Sequence, residues 1–205
     1  AAAVLPNRFD VRAPEGQRDA TRAALGVAAG ERLVLQPTRA IPRKNVPAGI
    51  ALARKLRATY WITGAAELGY DDELVALLDG AGIPTIHGWP EGTDPDRIED
   101  AYAAADLVVL PSTWEGFGNP AIESAIYRRP LAIGSYPVGA ELRARGFRWF
   151  DVHAPVPIAH FLAAPDSRVL EDNRAVAVRH FNLDDLPTEL EGNLSLPFSW
   201  ARHPW

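Results

Sequence analysis

Six short apolar runs punctuate the chain: Arg32-Leu-Val-Leu-Gln36, Thr59-Tyr-Trp-Ile-Thr63, Pro84-Thr-Ile-His87, Leu107-Val-Val-Leu110, Pro130-Leu-Ala-Ile-Gly134 and Arg148-Trp-Phe-Asp151. They are closed by Gly, Pro or Thr, as strands of a parallel sheet buried on both faces tend to be. Between them apolar positions recur at helical spacing, over roughly 46–57, 71–81, 96–105, 120–128 and 137–145. Strand alternating with helix in this way predicts an α/β fold: a doubly wound, Rossmann-like parallel sheet of about six strands with helices on both faces. One helix is expected before Gly30, and two or three more over 156–191, including Val169 to Phe181. No repeat, low-complexity tract or internal linker interrupts the pattern, so residues 1–205 read as one domain. The Pro- and Trp-rich end, 192–205, reads as an irregular tail.

Composition narrows the partners. A net charge of −5 gives no general attraction to nucleic acid or anionic lipid. No apolar run approaches the roughly 20 residues that span a bilayer. The start, Ala-Ala-Ala-Val-Leu-Pro6, lacks the basic and apolar regions of a signal peptide. The absence of cysteine excludes disulfides and thiolate metal sites, and makes a cytoplasmic protein the expectation. The absence of methionine, even at position 1, reads as a piece of a longer polypeptide.

The chemistry concentrates in Pro111-Ser-Thr-Trp-Glu115-Gly-Phe-Gly-Asn-Pro-Ala-Ile-Glu123. Two carboxylates bracket a glycine turn between a strand and a helix, the junction where open α/β sheets bind ligands. The turn, Gly116, Phe117, Gly118 and Asn119, offers backbone N–H groups to an anion, and the carboxylates can hold hydroxyls. With Asn119 as helix cap and Pro120 as first helical residue, Glu123 is alternatively a solvated glutamate near a helix start. Gly116-Phe-Gly118-Asn-Pro-Ala121 also matches a dinucleotide fingerprint. However, five residues separate it from the strand, and the next strand ends without an acid. After the first strand, Gln36-Pro-Thr-Arg39-Ala-Ile-Pro-Arg-Lys44-Asn places three cations on a proline-pinned loop. Arg39 and Lys44 are the expected phosphate contacts, with Arg43 facing solvent. Gly64 and Gly88, at the ends of the second and third strands, allow close backbone approach to a ligand. Trp89 can stack beside a nucleobase or pack into the core. Asp94-Pro-Asp96 imitates a metal-holding D-x-D, but reads as a helix start capped by Asp94, as do Asp71-Asp72-Glu73 and Asp184-Asp185; no metal site is expected. The five histidines show no metal-ligand spacing.

In chain order, Thr38-Arg39 to Lys44-Asn45, Ile62-Thr63-Gly64, Ala105-Asp106 to Pro111-Ser112, Glu115 to Glu123 with its E-x7-E spacing, and Pro130 to Gly139 resemble the C-terminal, donor-binding domain of retaining glycosyltransferases of the GT-B fold, family four. Leu5-Pro-Asn7-Arg-Phe-Asp10 is similar to the segment by which that family's chain enters the domain. Thr38 stands where the family usually has Gly, Ala140 where a second Gly is common, and Arg145-Gly-Phe lacks a frequent acidic stretch. The resemblance implies a UDP-, GDP- or ADP-sugar as donor substrate, no metal or other cofactor, and transfer to an acceptor hydroxyl with anomeric retention. It assigns Arg39 and Lys44 to the diphosphate, Glu115 to the transferred sugar, Glu123 to the ribose, and the N–H groups of 117–119 to the sugar and phosphate. It also implies an acceptor-binding N-terminal domain outside this chain. The alternatives are a binding-only nucleotide-sugar module or a nucleotide-sugar epimerase, the latter expected to lack the E-x7-E spacing.

Overall fold

A computed structural model describes residues 6–12 and 14–194. Six strands, β1 (Leu33–Gln36), β2 (Thr59–Ile62), β3 (Thr85–His87), β4 (Leu107–Leu110), β5 (Leu131–Ile133) and β6 (Phe150–Asp151), form one sheet in the order β3-β2-β1-β4-β5-β6. Every pairing is parallel. The helices are α1 (Arg18–Ala24), α2 (Val46–Leu56), α3 (Asp71–Asp79), α4 (Ile98–Ala104), α5 (Asn119–Ile126), α6 (Pro137–Ala144), α7 (Pro155–Ala163), α8 (Ser167–Phe181) and α9 (Leu186–Leu194). No helix of the described residues is long and apolar enough to cross a membrane.

Side chains of the strands alternate between two apolar layers. Leu33, Leu35, Trp61, Val108, Leu110, Leu131 and Ile133 face a core completed by α4, α5, α6 and α8. Val34, Tyr60, Ile62, Leu107, Val109 and Ala132 face a second core completed by α2, α3 and α7. The continuous apolar runs in the sequence reflect this double burial.

Several expected boundaries shift for local reasons. Strand β6 starts two residues late because the Asn173 side chain takes both backbone groups of Arg148: its Oδ1 accepts from the N–H and its Nδ2 donates to the carbonyl. Asp94 does not cap a helix. Its Oδ1 accepts from the Asp96 N–H at 2.9 Å, closing a turn that ends before α4 begins at Ile98. Asp71, Asp72 and Glu73 do form the first turn of α3, and Asp184 and Asp185 lie in a 3-10 turn leading into α9. The tail expected to be irregular from 192 is still helical to Leu194; the rest of it lies outside the described residues.

Asp106, just before β4, fixes the opposite edge of the sheet from the loops of interest. It accepts from the Leu33 N–H at 2.8 Å, from Arg18 Nη2 at 2.5 Å and from Arg22 Nη1 at 3.3 Å. The Ala-Asp motif is thus a structural clamp on α1, β1 and β4. The strand order reverses between β1 and β4. The loop leaving β1 turns to α2 on one face, and the loop leaving β4 turns to α5 on the other. A cleft must open between them at the carboxyl edge.

Candidate functional site

That cleft, of about 390 Å³, is walled by the loop 37–44, by Glu115 and by the turn 117–120, with Asn7 at its rim. Its floor is set by Gln36 at the end of β1. Buried among apolar neighbours, the Gln36 amide accepts from Tyr60 Oη at 2.7 Å and donates to Thr38 Oγ1 at 3.2 Å and to the Lys44 carbonyl at 3.1 Å. Pro42–Lys44 form a 3-10 turn, and Asn45 ends it in the left-handed region at φ 52°. The two loops are then tied across the reversal. The Thr113 N–H donates to the Arg43 carbonyl at 2.9 Å, and Asn45 Nδ2 to the Pro111 carbonyl at 3.2 Å.

Glu115 lies at the centre. Its Oε1 accepts from Lys44 Nζ at 2.5 Å and from Ser112 Oγ at 2.6 Å, and its Oε2 accepts from Arg43 Nη1 at 3.3 Å. The Glu115 and Lys44 side chains are only 6% and 9% exposed, so each carries a charge that needs a partner. Arg43, 36% exposed, pairs with this acid rather than standing free in solvent as the loop's sequence suggested. Its guanidinium also donates to the Trp114 carbonyl at 3.2 Å and lies 5.7 Å from the centre of the Trp114 ring. Arg39 reaches the cleft too, held to Glu67 at 2.8 Å by a half-exposed ion pair that contributes little.

The glycine turn departs from the expected capping. Gly118, at φ 83°, occupies the cap position, and Asn119 is the first residue of α5. The Asn119 side chain caps nothing; its Oδ1 accepts from Asn7 Nδ2 at 2.8 Å, across the cleft mouth. The N–H groups of Phe117, Gly118 and Asn119 have no acceptor among the described residues. The Phe117 ring points inward against Phe181 and Phe9, at centroid distances of 5.6 and 6.2 Å, which anchors the turn.

Glu123 follows Asn119 by one helical turn on the same face of α5, behind the rim. It is not a solvated glutamate. Its Oε2 accepts from Tyr102 Oη at 2.6 Å, and burial pushes its carboxyl pKa up while that hydrogen bond opposes the shift. Gly64 is required by packing: a Cβ there would lie 2.4 Å from the Thr38 carbonyl oxygen and 2.6 Å from the backbone of Arg39. Gly88, at φ 73°, donates its N–H to the Ile62 carbonyl and accepts from Trp61 Nε1. Trp89 meets the Trp61 ring edge-on at 5.3 Å. These three sit at the ends of β2 and β3, outside the wall of the cleft. Among the described residues no group of three or more His, Asp or Glu is placed to hold a metal ion.

Sequence reasoning missed Arg43, Ser112 and Tyr136. The first two lie beside residues it did choose. Tyr136 gave no signal: its hydroxyl is buried without a hydrogen-bond partner among the described residues, 3.5 Å from where a Cβ on Gly118 would stand, and burial and the Glu115 charge push its pKa up.

The family described as glycosyl transferases group 1 matches residues 17–154. The chain is 31% identical over 190 residues to D-inositol 3-phosphate glycosyltransferase of Mycobacterium sp. (strain KMS), covering 85% of this chain and 43% of that protein. It is 33% identical over 144 residues to the enzyme of the same name from Rhodococcus opacus (strain B4), covering 62% and 32%. Anabaena HepE in complex with UDP and glucose superposes with a TM-score of 0.74 at 21% identity, covering 93% of this chain and 56% of that one. The C-terminal domain of a glycosyl transferase group 1 family protein from Francisella tularensis gives 0.61 at 20% identity, covering 85% and 99%. The chain thus spans less than half the length of these curated relatives.

Proposed function

The chain belongs to the glycosyl transferases group 1 family, with the fold of a GT-B C-terminal domain, and from that premise we propose that it binds a nucleotide diphosphate sugar as glycosyl donor. One observation carries the reading. Cations from the β1 loop and free N–H groups from the β4 turn face the same cleft, beside a buried carboxylate. That combination suits a ligand bearing both phosphates and hydroxyls.

In this reading Arg39 and Lys44 meet the diphosphate, and the 117–119 N–H groups meet the phosphate nearest the sugar. Glu115 accepts from hydroxyls of the sugar and Glu123 from those of the ribose. As the glycosidic bond to phosphate breaks, negative charge builds on the departing diphosphate. Arg39 and Lys44 then stabilise the transition state more than the ground state, which is what lowers a barrier. Two such cations can take the part a divalent metal plays elsewhere. Glu115 orients the sugar rather than attacking it, the transfer retains anomeric configuration, and the acceptor and remaining catalytic groups come from an N-terminal domain. The cytoplasmic location expected from the cysteine-free composition belongs to the same proposal.

HepE was solved with UDP and glucose, which makes UDP the first probe. The test is calorimetric titration of the 205-residue chain with UDP, GDP and ADP, repeated on Glu123→Gln. Saturable binding of one nucleotide, weakened in the variant, is expected. Absence of binding at millimolar concentration defeats the donor-site reading, and equal binding by the variant removes Glu123 from the ribose. Turnover by this chain alone is expected to be negligible. A binding-only module would bind equally well but stay inactive when joined to its acceptor domain.

A further inference from the structure

The three cations of the β1 loop are held in three different ways. Among the described residues Arg39 pairs only with the half-exposed Glu67. Lys44 is buried and spends its ammonium on Glu115 Oε1, an oxygen that Ser112 already serves. Arg43 takes the other oxygen, and its guanidinium is fixed independently by the Trp114 carbonyl and ring. Its backbone is fixed as well, by the Thr113 N–H. Trp114 is 57% exposed, unusual for so large an apolar ring, and Arg43 is what it supports.

If a diphosphate enters the cleft, Lys44 is the cation placed to turn to it: a compact charge on a flexible stem, lining the same cavity. Without Arg43, Glu115 would then keep Ser112 alone, and a carboxylate 6% exposed without a cation is expensive. We propose that Arg43 is a positioning residue for Glu115, retaining Oε2 when Lys44 leaves Oε1 for the diphosphate, so that the carboxylate stays oriented toward the hydroxyls of the sugar. The inference rests on the donor-site reading above. It assigns different work to neighbouring cations: Lys44 moves to the phosphates, while Arg43 stays with the acid and contributes little to phosphate affinity.

The test compares UDP with UDP-glucose by calorimetry on wild type, Arg43→Gln, Arg43→Lys and Trp114→Ala, with the guanosine or adenosine pair substituted if the base screen selects it. In Arg43→Gln the affinity for UDP should stay within about 3-fold, while that for UDP-glucose falls about 10-fold, the scale of one charge-assisted hydrogen bond. Trp114→Ala should lower the same ratio by a smaller factor. Arg43→Lys, which keeps the charge but loses the fork and the stacking, should recover part of it. Equal losses for both ligands would make Arg43 a phosphate contact and overturn the proposal, as would no loss for either. If wild type binds no nucleotide at all, the donor-site reading fails and takes this inference with it.

Discussion

Lys44→Met tests the centre of the site, because structure and function predict different outcomes once a second change is added. Methionine keeps the length of the stem and removes the charge. Breaking a fully buried pair from one side costs about 3–5 kcal/mol. Here Glu115 keeps Ser112 and the half-exposed Arg43, so about 2 kcal/mol is the better figure. In a domain of this size that lowers the melting temperature by about 4–8 °C. Glu115→Leu alone strands the Lys44 ammonium, and about 3 kcal/mol is expected. The double variant replaces the pair with apolar groups of similar volume and should lie within about 1 kcal/mol of wild type. Nucleotide affinity must behave otherwise. It should fall about 10–100-fold in Lys44→Met and stay low in the double variant, because the proposed charge-assisted contact to phosphate is gone in both. Urea unfolding followed by tryptophan fluorescence, with six tryptophans available, gives the stabilities; calorimetry with UDP gives the affinities. Additive stability losses to within about 0.5 kcal/mol would show that the pair is not energetically coupled. Recovery of affinity along with stability would mean that Lys44 never meets the ligand.

Three further changes probe the surroundings. Gly64→Ala must move the backbone of Thr38 and Arg39, so a loss of about 1–3 kcal/mol is expected together with weaker nucleotide binding; unchanged binding would detach the loop from the site. Tyr136→Phe removes a buried hydroxyl that has no partner among the described residues, so the unfolding midpoint should hold or rise, and a loss above about 1 kcal/mol would refute this. Folding raises the Glu123 carboxyl above its usual 4.5, so the folded chain binds more protons there than the unfolded one. The stability tied to that proton is complete below the unfolded value and is lost as pH rises through the raised one. Glu123→Gln, which still accepts from Tyr102, should therefore gain on wild type as pH rises above about 4.5; a gap that moves the other way in urea unfolding at several pH values would overturn the assignment.

Much of the fold was legible because parallel strands buried on both faces leave continuous apolar runs, and each expected strand appears within two residues of its place. The exception in length, β6, depended on Asn173, a side chain too distant in sequence for any local rule to include. The candidate site was legible only as residue types at strand ends, and the resemblance carried by the E-x7-E spacing names the family that the chain matches. The pairing inside the site was not legible. Lys44 and Glu115 are 71 positions apart and meet only because β4 pairs with β1. Arg43 was expected to face solvent, with Arg39 and Lys44 as the contacts. A carboxylate has two oxygens, however, and Lys44 and Arg43 each take one. Asn119 was given a capping role because capping rules weigh only the adjacent chain, whereas its partner, Asn7, comes from the start of the chain.

The two glutamates of the spacing motif end up in opposite electrostatic settings, and this bears on how the site selects its ligand. Glu115 is surrounded by cations and a hydroxyl; Glu123 has a tyrosine hydroxyl and low-dielectric surroundings. A ligand without phosphates cannot compete for Lys44, so it meets a Glu115 whose two oxygens are already taken. On the proposed donor reading, a ligand without ribose leaves Glu123 with Tyr102 alone. Diphosphate and sugar should therefore bind with positive coupling, the first freeing the acceptor that the second needs, and by linkage the coupling must be the same in either direction. The affinity of the complete donor would then be less than the sum of its contacts, because part of it goes to breaking an ion pair already made. The same pair keeps a cationic loop neutralised until a diphosphate arrives to replace the carboxylate.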